Sequence, residues 1–261
     1  MRRFLEMSWM DFKGHRAEFN LEEFLLLDTL YPFVTMAFYV VMASYAYQTK
    51  DVTDWVVGNA FLLCVNICIF SLGAGFMGER RTGRIRSVIA SPLSKIVIVL
   101  QKGFISCLVS ILTTMVGLLV GCIVFHVSFE GVSIMGIIGV LLVAMFAATG
   151  LGVFLSSLGL ITDSMHLVLN TVNYILLLFT GSNFPISQLP PVTRVFSKCL
   201  PLTHSIAAAR RVMHGASLLD EVILQLLLRE AVVGLLYFAV AAIVVRYAEK
   251  RAIIKGTYDL F

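Results

Sequence analysis

Residues 55–77 read WVVGNAFLLCVNICIFSLGAGFM and contain no charged side chain. About 20 apolar residues in a helix are enough to cross the hydrocarbon core of a bilayer, so this stretch predicts a transmembrane helix. The rest of the chain has the same character, because 59% of its 261 residues are hydrophobic and only 14% are charged. A soluble domain carries about 25% charged residues. Most of the surface of this protein is therefore expected to face lipid.

Five more apolar stretches predict an all-α membrane protein with six transmembrane helices. The spans are predicted at residues 24–47, 55–77, 103–126, 132–157, 164–183 and 222–245. The uncharged part of the last span, residues 231–245, is too short to cross a bilayer alone, so its helix is expected to begin near Val222. That start places Arg229 and Glu230 inside the membrane, where they would pair with other groups or reach the interface. Six spans with short connections nearly exhaust the chain, which predicts one membrane domain over residues 1–261.

The first residues of the chain predict a shorter element before the spans. Leu5, Trp9 and Phe12 share one helical face, which favours an amphipathic interfacial helix over residues 1–20, with a soluble tail as the alternative.

Glycines and small residues in the third and fourth spans, such as Gly117 and Gly121, predict close helix packing.

The distribution of Lys and Arg predicts the orientation. If both termini are cytoplasmic, fourteen of the twenty Lys and Arg residues lie on the cytoplasmic side, six of them in residues 79–102, and five lie on the other side. The positive-inside rule therefore places the termini and residues 79–102 in the cytoplasm.

The sequence gives little support to catalysis by this chain. No zinc-hydrolase or serine-hydrolase motif occurs, and the five histidines have no ligand spacing, so no catalytic or metal site is predicted. Gly78 and Gly83 have the separation of a phosphate-binding loop, but Arg84 and Ile85 stand where that loop needs Lys and Ser or Thr. No basic stripe suggests nucleic-acid binding. Any energy from ATP is therefore expected to come from another polypeptide.

Four polar residues on the fifth span share one helical face. Asp163, His166, Asn170 and Asn173 are separated by three or four residues, and Asn66 in the second span is a weaker candidate of the same kind. Polar side chains in a span face protein or water. The stripe is therefore either a contact between helices, including a dimer interface, or the lining of a substrate path.

Two motifs carry a family resemblance. Residues 79–94 read ERRTGRIRSVIASPLS, and residues 181–190 read GSNFPISQLP, followed by Pro201-Leu-Thr and by Arg210 through Gly215. The first motif is similar to the E-R-x-x-G pattern after the second span of the ABC type-2 transporter permease family. The second resembles the family's G-x-x-F-P signature after the fifth span, in which Gly181, Phe184, Pro185, Leu189, Pro190 and Pro201 match.

The resemblance implies an architecture and partners. Two permeases, identical or related, would form a dimer on two separate ATP-binding-cassette subunits that hold ATP and Mg²⁺, and the permease would need no cofactor of its own. Residues 79–95 would be the coupling helix that contacts those subunits, with the matched positions Glu79, Arg80, Arg81, Thr82, Gly83, Arg84 and Arg86. Residues 184–221, which contain four of the six prolines of the chain, would form short re-entrant helices on the outer side.

These features together predict the permease of an ATP-driven exporter in a bacterial cytoplasmic membrane, with an unidentified substrate. The alternative within transport is an ion-coupled carrier or a channel without an ATPase, and an intramembrane hydrolase or transferase is a third reading. An ATP-binding protein that co-purifies with the chain would separate the first two.

Overall fold

The computed structural model describes residues 4–10, 30–49, 51–81, 83, 91, 94–127, 131–162 and 164–255, and these residues are helical with no strand among them. A short helix α1 covers residues 4–10. The remaining helices are α2 (Tyr31–Tyr47), α3 (Thr53–Gly73), α4 (Gly75–Arg81), α5 (Lys95–Phe125), α6 (Ile134–Leu158), α7 (Met165–Phe179), α8 (Pro191–Cys199), α9 (Thr203–Met213) and α10 (Glu221–Lys255).

Four segments are long and apolar enough to cross a membrane: Thr53–Arg80, Lys95–Phe125, Ile134–Leu158 and Glu221–Ala248. Two further apolar helices are shorter, Phe33–Tyr47 and Met165–Phe179. The protein is therefore a helical multi-pass membrane protein, while the count of six spans stays a prediction. We call the side on which α4 ends and α5 begins the coupling side, and the side that carries α8 and α9 the hairpin side.

Local sequence sets where several helices begin and end. Asp51 Oδ1 accepts a hydrogen bond at 3.1 Å from the backbone N–H of Thr53, the first residue of α3. Ser133 does the same for Gly136 at the start of α6. Pro191 stands in the first turn of α8, where the missing N–H costs no helical bond. Helix α5 ends at His126, which adopts a left-handed conformation with φ of 54°.

The core is a packing of α3 and α10 against α6, with α5 against α3. Close approach of α3 and α5 depends on missing side chains, because a Cβ at Gly121 would lie 2.2 Å from Val56 Cγ1 and one at Gly103 would lie 2.1 Å from Leu72 Cδ2. Helices α6 and α10 meet in the same way, since a Cβ at Gly150 would lie 2.7 Å from the Gly234 carbonyl oxygen. The predicted packing role of Gly121 is confirmed.

Three span boundaries differ from those predicted. Helix α5 begins at Lys95 instead of residue 103, because Lys102 pairs with Glu79 and its charge does not interrupt the helix. The fifth-span helix ends at Phe179 instead of residue 183, because the chain turns at Gly181 with φ of 84°. The second-span helix breaks at Ala74 and continues as α4. The last helix begins at Glu221, which confirms the expected start near Val222.

Candidate functional site

The first part of the candidate site is the connection of α4 to the bundle. The Glu79 carboxylate is buried and forms an ion pair with the ammonium group of Lys102 on α5. Arg80 Nη1 donates hydrogen bonds to two carbonyl oxygens beyond the end of α6, those of Gly159 at 3.2 Å and Thr162 at 3.1 Å. A cation is favourable there, because the last carbonyls of a helix have no intrahelical partner and carry partial negative charge. We call these two contacts the coupling-side latch.

The latch changes the interpretation of two predicted partner contacts. Glu79 and Arg80 are engaged with their own chain, on α5 and at the end of α6. Gly83 has φ of 69°, so the chain turns just after α4 in a conformation that favours glycine. The side chain of Arg81, together with Thr82, Arg84, Arg86 and the predicted helix before Pro92, lies outside the described residues.

The second part of the site is the segment between α7 and α10, on the hairpin side. It contains a 3₁₀ turn at Ile186–Gln188 and the helices α8 and α9, so short helices occur where they were predicted. A Cβ at Gly181 would lie 2.9 Å from Ile186 Cγ1, and its positive φ also favours glycine there. Pro190 and Pro191 start α8, Pro201 is buried in the connection to α9, and Phe184, Pro185 and Leu189 lie at or near the surface.

Arg210 on α9 joins this segment to α3. Its Nη2 donates to the carbonyl oxygens of Gly181 at 2.8 Å and Ser182 at 3.1 Å, and its Nε donates to the carbonyl oxygen of Asp54 at 3.0 Å. Burial lowers the pKa of Arg210 and the Asp54 carboxylate opposes that change. A guanidinium is a strong enough base to keep its charge despite this change. Arg210 therefore fixes the turn after α7 against the start of α3.

Two asparagines reinforce the same junction. Asn59 Nδ2 on α3 donates to Asn183 Oδ1 at 2.9 Å, and Trp55 Nε1 donates to the Asn183 carbonyl oxygen at 3.2 Å. The G-S-N-F-P motif thus has a structural explanation, because its backbone and its asparagine both bind α3.

Glu230 on α10 caps the start of α9. Its carboxylate accepts three backbone N–H bonds, from Leu202 at 2.5 Å, His204 at 3.0 Å and Ser205 at 3.2 Å. The first N–H groups of a helix have no intrahelical partner, and a carboxylate satisfies them while matching the positive end of the helix dipole. The side chain is fully buried. The sequence predicts that Glu230 lies inside the last span, but no sequence pattern identifies the backbone of α9 as its partner.

The polar stripe of α7 has a mixed environment. His166 and Asn170 are exposed, Asn173 is partly buried, and Asp163 lies outside the described residues. The Oδ1 atom of Asn173 is buried and has no hydrogen-bond partner. Asn66 on α3 is also partly buried. The exposed part of the stripe therefore points to a contact beyond this single chain, or to water.

A cavity of about 370 Å³ opens on the hairpin side between the start of α3, the end of α5 and the end of α9. It is lined by Asp51, His126 and His214 together with apolar residues. His214 Nε2 lies 3.2 Å from Asp54 Oδ1. Within the described ranges, no three His, Cys, Asp or Glu side chains form a group that could hold a metal ion.

Comparison with known protein families identifies the family to which this chain is similar. The model of a family described as ABC-2 family transporter proteins matches residues 24–243, which is most of the chain and includes both parts of the site. No curated protein matches the chain.

Proposed function

Because this chain belongs to the ABC-2 family of transporter proteins, we propose that it is the membrane permease of an ATP-driven exporter. A separate ATP-binding-cassette subunit would bind ATP and Mg²⁺ and hydrolyse the nucleotide. The substrate would be an amphipathic or hydrophobic molecule, since the spans offer mostly apolar surface. The proposed location is a bacterial cytoplasmic membrane, and the charge distribution supports an orientation with both termini and the coupling side in the cytoplasm.

The coupling-side latch is the observation that carries this proposal. A permease driven by another subunit needs a rigid connection between the surface that is pushed and the helices that move. Residues 79 and 80 immediately precede residues 81–95, which we call the basic segment. The contacts of residues 79 and 80 reach α5 and the end of α6. A displacement of residues 81–95 would therefore be transmitted through α4 to both of those helices.

The basic segment itself would be the contact with the ATPase subunits. Arg81, Thr82, Gly83, Arg84 and Arg86 are the proposed contact residues, and their charges would match an acidic groove. Exposed single ion pairs contribute about 0–1 kcal/mol, so the loss of one arginine would be tolerated. Reversal of two charges would place like charges against each other across the interface.

The test is a double charge reversal on the full chain expressed with its neighbouring genes. We expect wild-type protein to co-purify with an ATP-binding protein, and Arg84→Glu with Arg86→Glu to lose that protein while inserting normally. Arg246→Glu is the matched control, because Arg246 is an exposed arginine at the coupling-side end of α10. A double variant that keeps the ATPase and transports normally would contradict the proposed contact. Transport by the chain without any nucleotide-binding partner would favour the carrier or channel instead.

The exposed face of α7 would be the contact with a second permease. Polar groups are costly against lipid, and His166 and Asn170 are exposed on a helix that is apolar elsewhere. A second copy of α7, or α7 of a related permease, would supply hydrogen-bond partners for these two side chains. The alternative, a water-filled substrate path along α7, uses the same residues.

Crosslinking separates these two readings. In a chain without native cysteines, we expect Asn170→Cys and His166→Cys to give disulfide-linked dimers in the membrane, while Leu112→Cys on the exposed face of α5 gives none. Residues that line a water-filled path would instead react with a hydrophilic thiol reagent without forming dimers. If Asn170→Cys gives no crosslink and also fails to react with the thiol reagent, both readings are contradicted.

A further inference from the structure

Two exposed cations lie on the hairpin side, one on α8 and one on α10. Arg229 is on α10, one residue before the buried Glu230, and Lys198 is in the last turn of α8. Both side chains are exposed. Neither forms a hydrogen bond or an ion pair through its side chain with another described residue.

The two cations belong to one neighbourhood, which His204 joins. His204 Nε2 is 3.2 Å from the carbonyl oxygen of Lys198, and its backbone N–H donates to Glu230 Oε2 at 3.0 Å. His204 therefore joins the last turn of α8 to the residue that follows Arg229 on α10.

Among the described residues, the two glutamates in the first half of α10 do not supply the counter-charge. Glu230 turns both oxygens toward the start of α9, where they accept backbone N–H groups. Glu221 is at the start of α10, and its Oε1 accepts a hydrogen bond from Gln225. It is separated from Arg229 by about 12 Å along the helix axis. An anion from outside the chain is thus the group that would balance Lys198 and Arg229.

The depth of Arg229 limits which anion can reach it. At a rise of about 1.5 Å per residue, Arg229 is about 26 Å from Arg246 along α10. The hydrocarbon core of a bilayer is about 30 Å thick, so with Arg246 at one boundary Arg229 lies just inside the opposite boundary. A long arginine side chain at that depth extends to the headgroup level.

The surroundings of the two cations are apolar and exposed. Val195 and Phe196 on α8 are 65% and 45% exposed, and Leu228 and Val232 beside Arg229 on α10 are 69% and 46% exposed. A surface that combines cations at headgroup depth with apolar side chains around them fits an anionic amphiphile.

We propose that Lys198 and Arg229 bind the headgroup phosphate of a phospholipid in the leaflet on the hairpin side, whose acyl chains pack on the exposed apolar residues of α8 and α10. A guanidinium binds phosphate oxygens in a bidentate manner, and the lysine ammonium adds a second positive charge. The bound lipid anchors the end of α8 beside α10. This site does not depend on the direction of transport or on the identity of the ATPase.

Native mass spectrometry of the full-length chain in detergent tests the site. Wild-type protein is titrated with phosphatidylglycerol, with phosphatidylcholine and with a diacylglycerol glycolipid that lacks phosphate. We expect both phospholipids to be retained and the glycolipid to be lost. Charge-assisted hydrogen bonds contribute about 1.5–3 kcal/mol, so Lys198→Gln and Arg229→Gln should each weaken phospholipid retention about tenfold or more. Arg229→Lys should keep part of it.

Arg211→Gln is the matched control, because Arg211 is an exposed arginine on the hairpin side, on α9. All these positions are exposed, so the variants should unfold at the wild-type temperature. The proposal is overturned if the Lys198→Gln, Arg229→Gln double variant retains phospholipid as wild type does, or if wild type retains the glycolipid equally. Displacement of the lipid by millimolar inorganic phosphate would assign the site to free phosphate instead. A dimer crosslink through a cysteine at position 198 would assign the surface to a second copy.

Discussion

Replacing Glu230 by alanine removes the group that holds the start of α9 against α10. Three backbone N–H groups, those of Leu202, His204 and Ser205, would lose their acceptor in a buried environment. An unsatisfied buried donor costs about 1–3 kcal/mol, so three of them would cost roughly 3–9 kcal/mol if the hairpin stayed in place. The α8–α9 hairpin can instead separate from α10 and expose these N–H groups to water. The loss of stability is then no larger than the free energy of that separation.

We therefore expect Glu230→Ala to act first as local opening of the α8–α9 hairpin. A loss of about 3 kcal/mol would make the open state roughly a hundredfold more populated. Glu230→Gln keeps one acceptor oxygen but turns an amide N–H₂ group toward the other donors, so an intermediate effect is expected.

Hydrogen–deuterium exchange of the purified chain measures this opening directly. Amides of residues 202–206 should exchange much faster in Glu230→Ala, while those in the middle of α6 keep their protection. Glu221→Ala is the control, because Glu221 is an exposed acid at the start of the same helix. Wild-type protection of residues 202–206 in Glu230→Ala would refute the capping role.

Two further predictions concern the coupling side and the start of α3. Arg80→Gln removes the cation from the carbonyls of Gly159 and Thr162, so the ATPase should still bind while less transport occurs per ATP hydrolysed in proteoliposomes; an unchanged ratio would argue against the latch. The side-chain and backbone hydrogen bonds of Thr53 lower the pKa of Asp51, so its stabilising effect is present above the ordinary pKa and is lost as pH falls through the lowered value. Thermal unfolding followed from about pH 6 to pH 3 should therefore show a smaller acid loss in Asp51→Asn than in wild type, and identical curves would contradict this.

The predictable part of the fold is the part that depends on neighbours in sequence. Uncharged length identifies the four long apolar helices, and spacing places Gly121 on a packing face, where the structure has Val56 against it. Boundaries failed where a charge was neutralised by a distant residue. Lys102 was treated as outside the third span, because its partner Glu79 could not be identified from spacing.

The candidate site was located less completely, for the same physical reason. The motif at residues 181–190 was identified, but its partner Arg210 binds backbone carbonyl oxygens, which every residue possesses and no sequence pattern marks. The contacts of Arg80 within the chain could not be predicted, because its acceptors beyond the end of α6 come together with α4 only in the folded bundle. Glu230 shows the same limit, because an acid within a span indicates that a partner exists, but the sequence does not identify which group it is.

The contacts of α3 and α4 connect the two parts of the site. At the hairpin side, Arg210 binds the Asp54 carbonyl and Asn183 binds Asn59, so the start of α3 is joined to the segment after α7. At the coupling side, α4 continues α3 beyond Ala74 and is joined to α5 and to the end of α6 by the latch. A tilt of α3 driven from the basic segment would therefore displace the turn at Gly181 and, through Arg210, α9. Because α9 is also bound to α10 by Glu230, such a tilt must either carry α10 along or break that cap. The Glu230→Ala variant tests this connection, since it leaves the latch intact and removes the hydrogen bonds that hold the start of α9 to α10.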